Sequence, residues 1–271
     1  MCDSQVPNKF IDRILWCDCV QGMKALPDNC IPMTLTSPPY DALYLYGGHS
    51  FNFKAVAAEL FRITEPGGLV VWIVQEQIVD GSETGSSSRQ RLFFQELGFN
   101  LHHTMVMHGS GTRHHHKVRY GGPLQFAFIL SKGEPRHINL IRDRPNKHGG
   151  RTKSFMQRFP NGELLKQHKW TTRTWGVRGP IWHYATGLHI AQERYTNLHP
   201  ARMAEPIARD HILSWSRPGD LIFDPMCGVG TTAKMAYLNN RHYLGMEIHG
   251  PYWVKALRRL RDVRQRQKAL S

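Results

Sequence analysis

A chain of 271 residues with 35 Lys and Arg against 21 Asp and Glu, formal net charge +14, can hold one large α/β core plus an inserted module, and its charge favours a polyanionic partner. No N-terminal apolar stretch resembles a signal peptide and no 18-residue apolar run exists to span a bilayer, so a soluble, intracellular protein with no membrane contact is expected. The five cysteines (2, 17, 19, 30 and 227) have no paired spacing and no C-x-x-C, which excludes a disulfide scaffold and argues for free thiols and no metal.

In chain order, residues 10–16 and 31–36 read as strands, with a helix from Gln21 to Leu26 between them. Apolar residues at helical spacing (Val56, Leu60, Ile63) predict a helix from Phe53 to Thr64, ended by Pro66-Gly67-Gly68. Leu69 to Val74 is a β-branched strand. The Gly/Ser-rich stretch 81–88 reads as a loop, and Arg89 to Leu97 as a helix stopped at Gly98. Strands follow near 100–107 and 124–130, and Glu205-Pro206 opens a helix running to Trp215. Leu221 to Asp224 is apolar up to its last residue, Thr231 opens a helix, and His242 to Ile248 is a further strand. At the C-terminus a helix carries Trp253, Val254, Leu257, Leu260 and Val263 on an apolar stripe, with Arg258, Arg259, Arg261, Arg264 and Arg266 reading as its solvated face. Alternating strands and helices predict an α/β fold, a Rossmann-like sheet with helices on both faces.

The positive charge is concentrated. Between residues 131 and 195 there are 13 Lys/Arg against 4 Asp/Glu, and from 255 to the end 7 against 1, leaving the remainder close to neutral. The first segment interleaves Phe155, Phe159, Trp170, Trp175, Trp182 and Tyr184 with Arg151, Lys153, Arg158, Lys169, Arg173 and Arg178. Cations among aromatics suit phosphate contacts plus stacking, while Trp170, Trp175 and Trp182 are expected to form the segment's own core. The histidine clusters, His102-His103 and His114 to His116, lack neighbouring Cys or patterned carboxylates, so no metal is assigned to them.

Two stretches carry chemistry. Thr36-Ser37-Pro38-Pro39-Tyr40 ends a strand in a rigid turn whose prolines donate no N–H, leaving carbonyls free to accept, with an aromatic beside them to stack on a planar ring. The second runs from Asp224 through Met226, Cys227, Gly228, Gly230, Thr231 and Thr232, an acid, a Gly-x-Gly turn and a helix start. Glu247 follows 23 residues after Asp224, at about the distance where an acid takes ribose hydroxyls in nucleotide-binding α/β folds. The loop lacks both the dinucleotide G-x-G-x-x-G and the phosphate-loop Gly-Lys-Ser/Thr, which points to a nucleoside ligand without phosphate.

These stretches, with Asp18 before Met23 to Asn29, Glu65 to Trp72, and His199-Pro200-Ala201-Arg202, resemble the amino-group DNA methyltransferases that use S-adenosylmethionine, in the permuted (beta-class) order with the catalytic motif first. The resemblance covers roughly residues 8–130 and 196–258. It implies a catalytic half at 1–130, a basic target-recognition insert at 131–195 and a cofactor-binding half at 196–271. It implies that Ser37, Pro38, Pro39 and Tyr40 hold the target amine of an extruded base. Asp18, Thr36, His199, Asp224, Met226, Cys227, Gly228, Gly230, Thr231, Thr232 and Glu247 would bind S-adenosyl-L-methionine, Glu247 on the ribose and Asp18 near the adenine amine. The implied substrate is double-stranded DNA, and a homodimer and a restriction endonuclease partner stay open. Ser37, where adenine-N6 relatives mostly carry Asp or Asn, points to N4 of cytosine. N6 of adenine, an RNA substrate, and an inactive nucleic-acid-binding homologue stay as alternatives. Cytosine C5 chemistry is set aside because no Pro-Cys dipeptide occurs. The chain departs from the family pattern at Cys17, usually Gly, and at Met107-His108-Gly109, usually Trp-x-Lys, while His114 to Tyr120 stands where a target-side loop is expected.

Overall fold

A computed structural model describes residues 5–39, 51–109, 124–155, 159–163, 168–185 and 203–270. They divide into two compact units, one of 1–139 with 181–271 and the other of 140–180. The first unit contains a 3-10 turn, Asn8–Phe10, then β1 (Arg13–Trp16), α1 (Cys19–Lys24), β2 (Ile31–Thr36), α2 (Phe53–Ile63) and β3 (Thr64–Val74). The short hairpin β4 (Ile78–Val79) and β5 (Ser82–Glu83) leads to α3 (Ser86–Glu96), β6 (Asn100–Gly109) and β7 (Leu124–Ser131). The second unit holds two small antiparallel ladders, β8 (Arg144–Pro145) with β11 (Trp175–Gly176), and β9 (Thr152–Phe155) with β10 (His168–Thr171). The chain returns to the first unit with β12 (Ile181–Tyr184), α4 (Glu205–Trp215), β13 (Leu221–Asp224), α5 (Thr231–Leu238), β14 (His242–Glu247) and α6 (Gly250–Leu270).

Eight strands form one sheet in the order β1-β14-β13-β2-β3-β7-β6-β12. The run from β1 to β3 is parallel, and β7 alone opposes its neighbours. Central parallel strands are covered on both faces, so they read as unbroken apolar runs: Leu69 to Val74 and Leu221 to Phe223 are buried throughout. Around Trp72 pack Phe51, Phe53 and Phe94, and the Trp72 indole N–H donates to Gln90 Oε1 at 2.8 Å, satisfying the one polar atom of a fully buried ring.

The topology sets where a ligand can sit. From β13 the chain passes through α5 to β14 on one side, and from β2 through α2 to β3 on the other. Between β2 and β13 the order of winding therefore reverses, the place where open α/β sheets leave a crevice at the carboxyl ends of their strands. Thr36, Asp224 and Glu247 end their strands at that rim.

Several expectations need correction. Pro66-Gly67-Gly68 does not end a helix ahead of a separate strand. β3 begins at Thr64 and carries these residues as a bulge, its register on β2 jumping from Ile31↔Thr64 to Met33↔Leu69, with Gly67 at φ +80°. The helix placed at Arg89 starts at Ser86, because the Glu76 carboxylate accepts from the Ser86 and Ser87 N–H groups and caps it from ten residues upstream. The separate unit is narrower than the charge pattern, since β12 lies in the main sheet and Trp182 is buried there. Trp170 and Trp175 are not core: each stays about half exposed on the small ladders. On α6 the inward face is Ala256, Arg259, Leu260 and Val263, at i, i+3, i+4 and i+7, while Val254 and Leu257 are exposed and Arg259 is completely buried.

Candidate active site

Asp224 is the node of the site. Strand β13 ends on it, and it keeps 5 % of its surface. Thr36 Oγ1, at the end of β2, donates to its Oδ1 at 2.8 Å, and Thr232 Oγ1 donates to its Oδ2 at 2.7 Å. The Met226 N–H adds a third bond at 3.1 Å. A carboxylate in such a place needs these donors, because an ionised group taken out of water without partners is strongly disfavoured. Burial is still the largest influence and pushes the carboxyl up to about 6, against the lowering pull of Thr232, Thr36 and the Met226 amide; nearby Glu247 adds to the rise.

Glu247 ends the adjacent strand, β14, and is likewise buried. Its two oxygens accept from the Gly228 N–H and the His249 N–H, both at 2.8 Å. Burial raises its carboxyl as well, and these amides oppose the shift. The two acids thus hold the loop between them from both sides, Asp224 through Met226 and Glu247 through Gly228. Gly228 (φ +52°) and Gly230 (φ +75°) give the loop its left-handed turns. Buried between the acids, the Cys227 thiol is pushed well above its ordinary range and stays neutral. The sequence reading gave the loop glycines to a ligand. At Gly230 the close neighbour is protein: an added Cβ would stand 3.1 Å from Ala256 Cβ on α6.

The turn after Thr36 has Pro38 buried and Ser37 and Pro39 half-buried. Because the Thr36 hydroxyl is bonded to Asp224, this turn and the loop after β13 meet at one point, although 188 residues separate them in the chain. Asp18 lies exposed just past β1, where it caps α1 by accepting from the Gln21 N–H at 2.9 Å, and Cys17 N–H bonds Glu247 O at 3.1 Å. Thr231 is buried and receives Arg259 Nη1 at 2.9 Å. Tyr40, His199 and His114 to Tyr120 lie outside the described residues.

Sequence reasoning missed three groups. Glu205, the first residue of α4, binds Lys234 Nζ at 2.8 Å and also the Arg259 guanidinium, and both cations are buried. His249, two residues beyond Glu247, has a buried Nδ1 with no hydrogen-bond partner among the described residues. The signal for Arg259 was present in the 256-259-260-263 spacing, but an arginine there reads as surface until its partners are known.

In the second unit, Arg151, Lys153, Lys169 and Arg173 are exposed. On the β9–β10 ladder Lys153 stands directly opposite Trp170, so a cation and a half-exposed indole share one face. Arg178 differs from these: its Nε donates to Asp143 Oδ2 at 2.8 Å and its Nη2 reaches the same oxygen, holding the Asp143 carboxyl below the usual carboxylate range. Arg158 lies outside the described residues. Among the described residues no three His, Cys, Asp or Glu side chains gather to hold a metal, and no helix is long and apolar enough to cross a membrane.

Comparison with known proteins gives consistent matches. Residues 31–256 match the model of the N6/N4 DNA methylase family. The orphan methyltransferase M.BamHII of Bacillus amyloliquefaciens is 47 % identical over 239 residues, covering 87 % of this chain and 90 % of the relative. In fold, the chain is similar to PvuII DNA methyltransferase (cytosine-N4-specific), with TM-score 0.68 and 14 % identity over 94 % of this chain and 87 % of that one. It is also similar to a putative DNA modification methylase of Thermus thermophilus, solved in complex with S-adenosyl-L-methionine, at TM-score 0.61 and 18 % identity over 93 % and 95 %. At these identities the solved structures speak to the fold alone.

Proposed function

Since the chain belongs to the N6/N4 DNA methylase family and is an S-adenosyl-L-methionine-dependent DNA methyltransferase, we propose that it methylates N4 of cytosine on a base flipped out of duplex DNA. The observation that carries this reading is the Thr36–Asp224 hydrogen bond, which ties the Ser37-Pro38-Pro39 turn to the loop held by Asp224 and Glu247 at the switch point of the sheet.

In this reading the loop from Met226 to Gly230 is the cofactor cradle. The residues present fit the cofactor: Glu247 keeps lone pairs for ribose hydroxyls, and His249, two residues on, has a buried Nδ1 with no hydrogen-bond partner among the described residues. When bound, the cofactor supplies a methyl group already activated on a sulfonium. The protein's task is then to orient the amine and raise its nucleophilicity. The Ser37 side chain and the Pro38 carbonyl accept hydrogen bonds from the exocyclic NH2, which drives the nitrogen toward tetrahedral geometry and aims its lone pair. Tyr40 stacks on the extruded base. Thr36, held by Asp224, keeps the turn from drifting away from the cradle.

Ser37 supports cytosine over adenine, as the family resemblance implies, and the PvuII enzyme of similar fold is named as cytosine-N4-specific. The 140–180 unit contributes phosphate contacts through Arg151, Lys153, Lys169 and Arg173, with Trp170 on the same face as Lys153. Incubation of the protein with S-adenosylmethionine and duplex DNA, followed by mass spectrometry of the nucleosides, tests the reading. N4-methylcytosine is the expected product; N6-methyladenine alone would keep the mechanism and overturn the base.

A further inference from the structure

The cofactor loop is shaped as much by the C-terminal helix as by the two acids. The loop closes on itself through the Gly230 N–H to the Cys227 carbonyl at 2.8 Å, Gly230 caps α5 without any side-chain hydrogen bond, and Gly228 and Gly230 sit at positive φ. Two residues of one α6 face reach it. Ala256 fills the space that the missing Cβ of Gly230 leaves. One turn on, Arg259 donates Nη1 to the Val229 carbonyl at 3.2 Å and to Thr231 Oγ1 at 2.9 Å, while its Nη2 binds Glu205. Arg259 is completely buried and Val229 is 2 % exposed, a setting in which a backbone carbonyl is satisfied by a protein donor.

We propose that Arg259 is the positioning residue of the cofactor loop, with Glu205 as its counter-ion, so that cofactor affinity is set from α6 and the first turn of α4 as well as from Asp224 and Glu247. This rests on the reading of that loop as the cofactor cradle. A guanidinium suits the task because its planar fork reaches three acceptors on two elements at once, which an ammonium on a flexible stem does not reproduce. Glu205 matters because a buried cation without its anion would open the packing. Arg259 touches none of the reacting atoms. Its removal therefore acts on binding of the cofactor and leaves the chemical step alone.

Arg259→Met, Arg259→Lys, Glu205→Gln and Glu247→Ala, each checked for native circular dichroism and cooperative melting, are compared with the wild type by calorimetry with S-adenosylmethionine and by methylation kinetics. Arg259→Met is expected to weaken cofactor binding roughly 10- to 100-fold and to raise KM for the cofactor in step. It should leave kcat at saturation and KM for DNA within about threefold, and Arg259→Lys should recover part of the loss. If Arg259→Met does not fold, Glu205→Gln carries the test, with a loss of roughly three- to tenfold expected. Glu247→Ala separates the two ideas: weakened binding there with unchanged binding in a folded Arg259 or Glu205 variant overturns the positioning role alone. Unchanged binding in all of them removes both the role and the cradle.

Discussion

The two regions proposed to carry cofactor and DNA handle charge in opposite ways. Around the β2–β13 crevice, acids and cations are buried and each is bonded inside the fold: Asp224 to two hydroxyls and an amide, Glu247 to two amides, Arg259 and Lys234 to Glu205. In the 140–180 unit, Arg151, Lys153, Lys169 and Arg173 lie in solvent. Buried groups of the first kind fix a shape in advance for a small ligand, and their immediate neighbours decide everything. Exposed groups of the second kind act as a field on a polyanion, where number matters more than partner.

The contrast is sharpest at Asp224. Asp224→Ala leaves three donors around a hole, and should cost on the order of 3 kcal/mol of stability and abolish measurable cofactor binding. Denaturant melts and calorimetry on the same preparation check this, and near-native values would show that the node is dispensable. Ser37→Ala keeps the crevice intact and removes one acceptor from the proposed target-amine site. It should slow methyl transfer by roughly one to three orders of magnitude, by analogy with single-group deletions at polar reaction sites, with cofactor affinity unchanged. Single-turnover kinetics separate the two.

In the second unit the expected effects are collective. Changing Arg151, Lys153 and Lys169 together to Ala should lower the slope of log affinity against log salt by about 2 to 3 and weaken DNA binding at least tenfold at moderate salt, leaving cofactor binding alone. A salt titration by fluorescence anisotropy with an unchanged slope would move the DNA contacts elsewhere. Arg178 tests the rule from inside the same unit, because it is already engaged by Asp143. Arg178→Ala should leave the salt slope within error and change the melting free energy by less than about 1 kcal/mol, as half-exposed ion pairs do.

A pH series distinguishes the buried acid from the exposed cations. Because the Asp224 carboxyl is raised from 3.8 to about 6 in the fold, the folded state holds its proton more tightly than the unfolded chain does. Its contribution is therefore most favourable below pH 4 and is lost as pH rises through about 6. The stability of the wild type relative to Asp224→Asn should fall between pH 4 and pH 6 and level off above. A flat difference across that range would mean that the acid is not shifted.

How much of this was legible beforehand follows from what each residue depends on. That Thr36, Asp224 and Glu247 end strands was readable because strand ends, glycine turns and their spacing are local signals, and helix α4 was placed residue for residue, opened by its Glu-Pro pair. The start of α3 was not readable, since its cap is the side chain of Glu76, outside the helix. Nor was Arg259, because an arginine on a helix rich in arginines looks solvated until two distant elements supply its acceptors. Trp170 and Trp175 misled for the converse reason: large apolar rings predict a core, but the small ladders that carry them leave the rings half in water.

The Thr36–Asp224 bond has a consequence for how the chain is made. Strand β2 lies between β13 and β3, so its edge toward β13 has no sheet partner until residues 221–224 have been synthesised. At about 5–20 residues per second, that interval is roughly 10 to 40 seconds, and pairing across so long a loop is intrinsically slow. During that time an apolar strand edge containing Met33 and Leu35 is unpaired, the kind of edge that joins other chains or recruits chaperones. Nascent chains arrested before residue 221 should accordingly associate with holdase chaperones and fail to bind cofactor. Chaperone release and the onset of cofactor binding should both follow the emergence of β13.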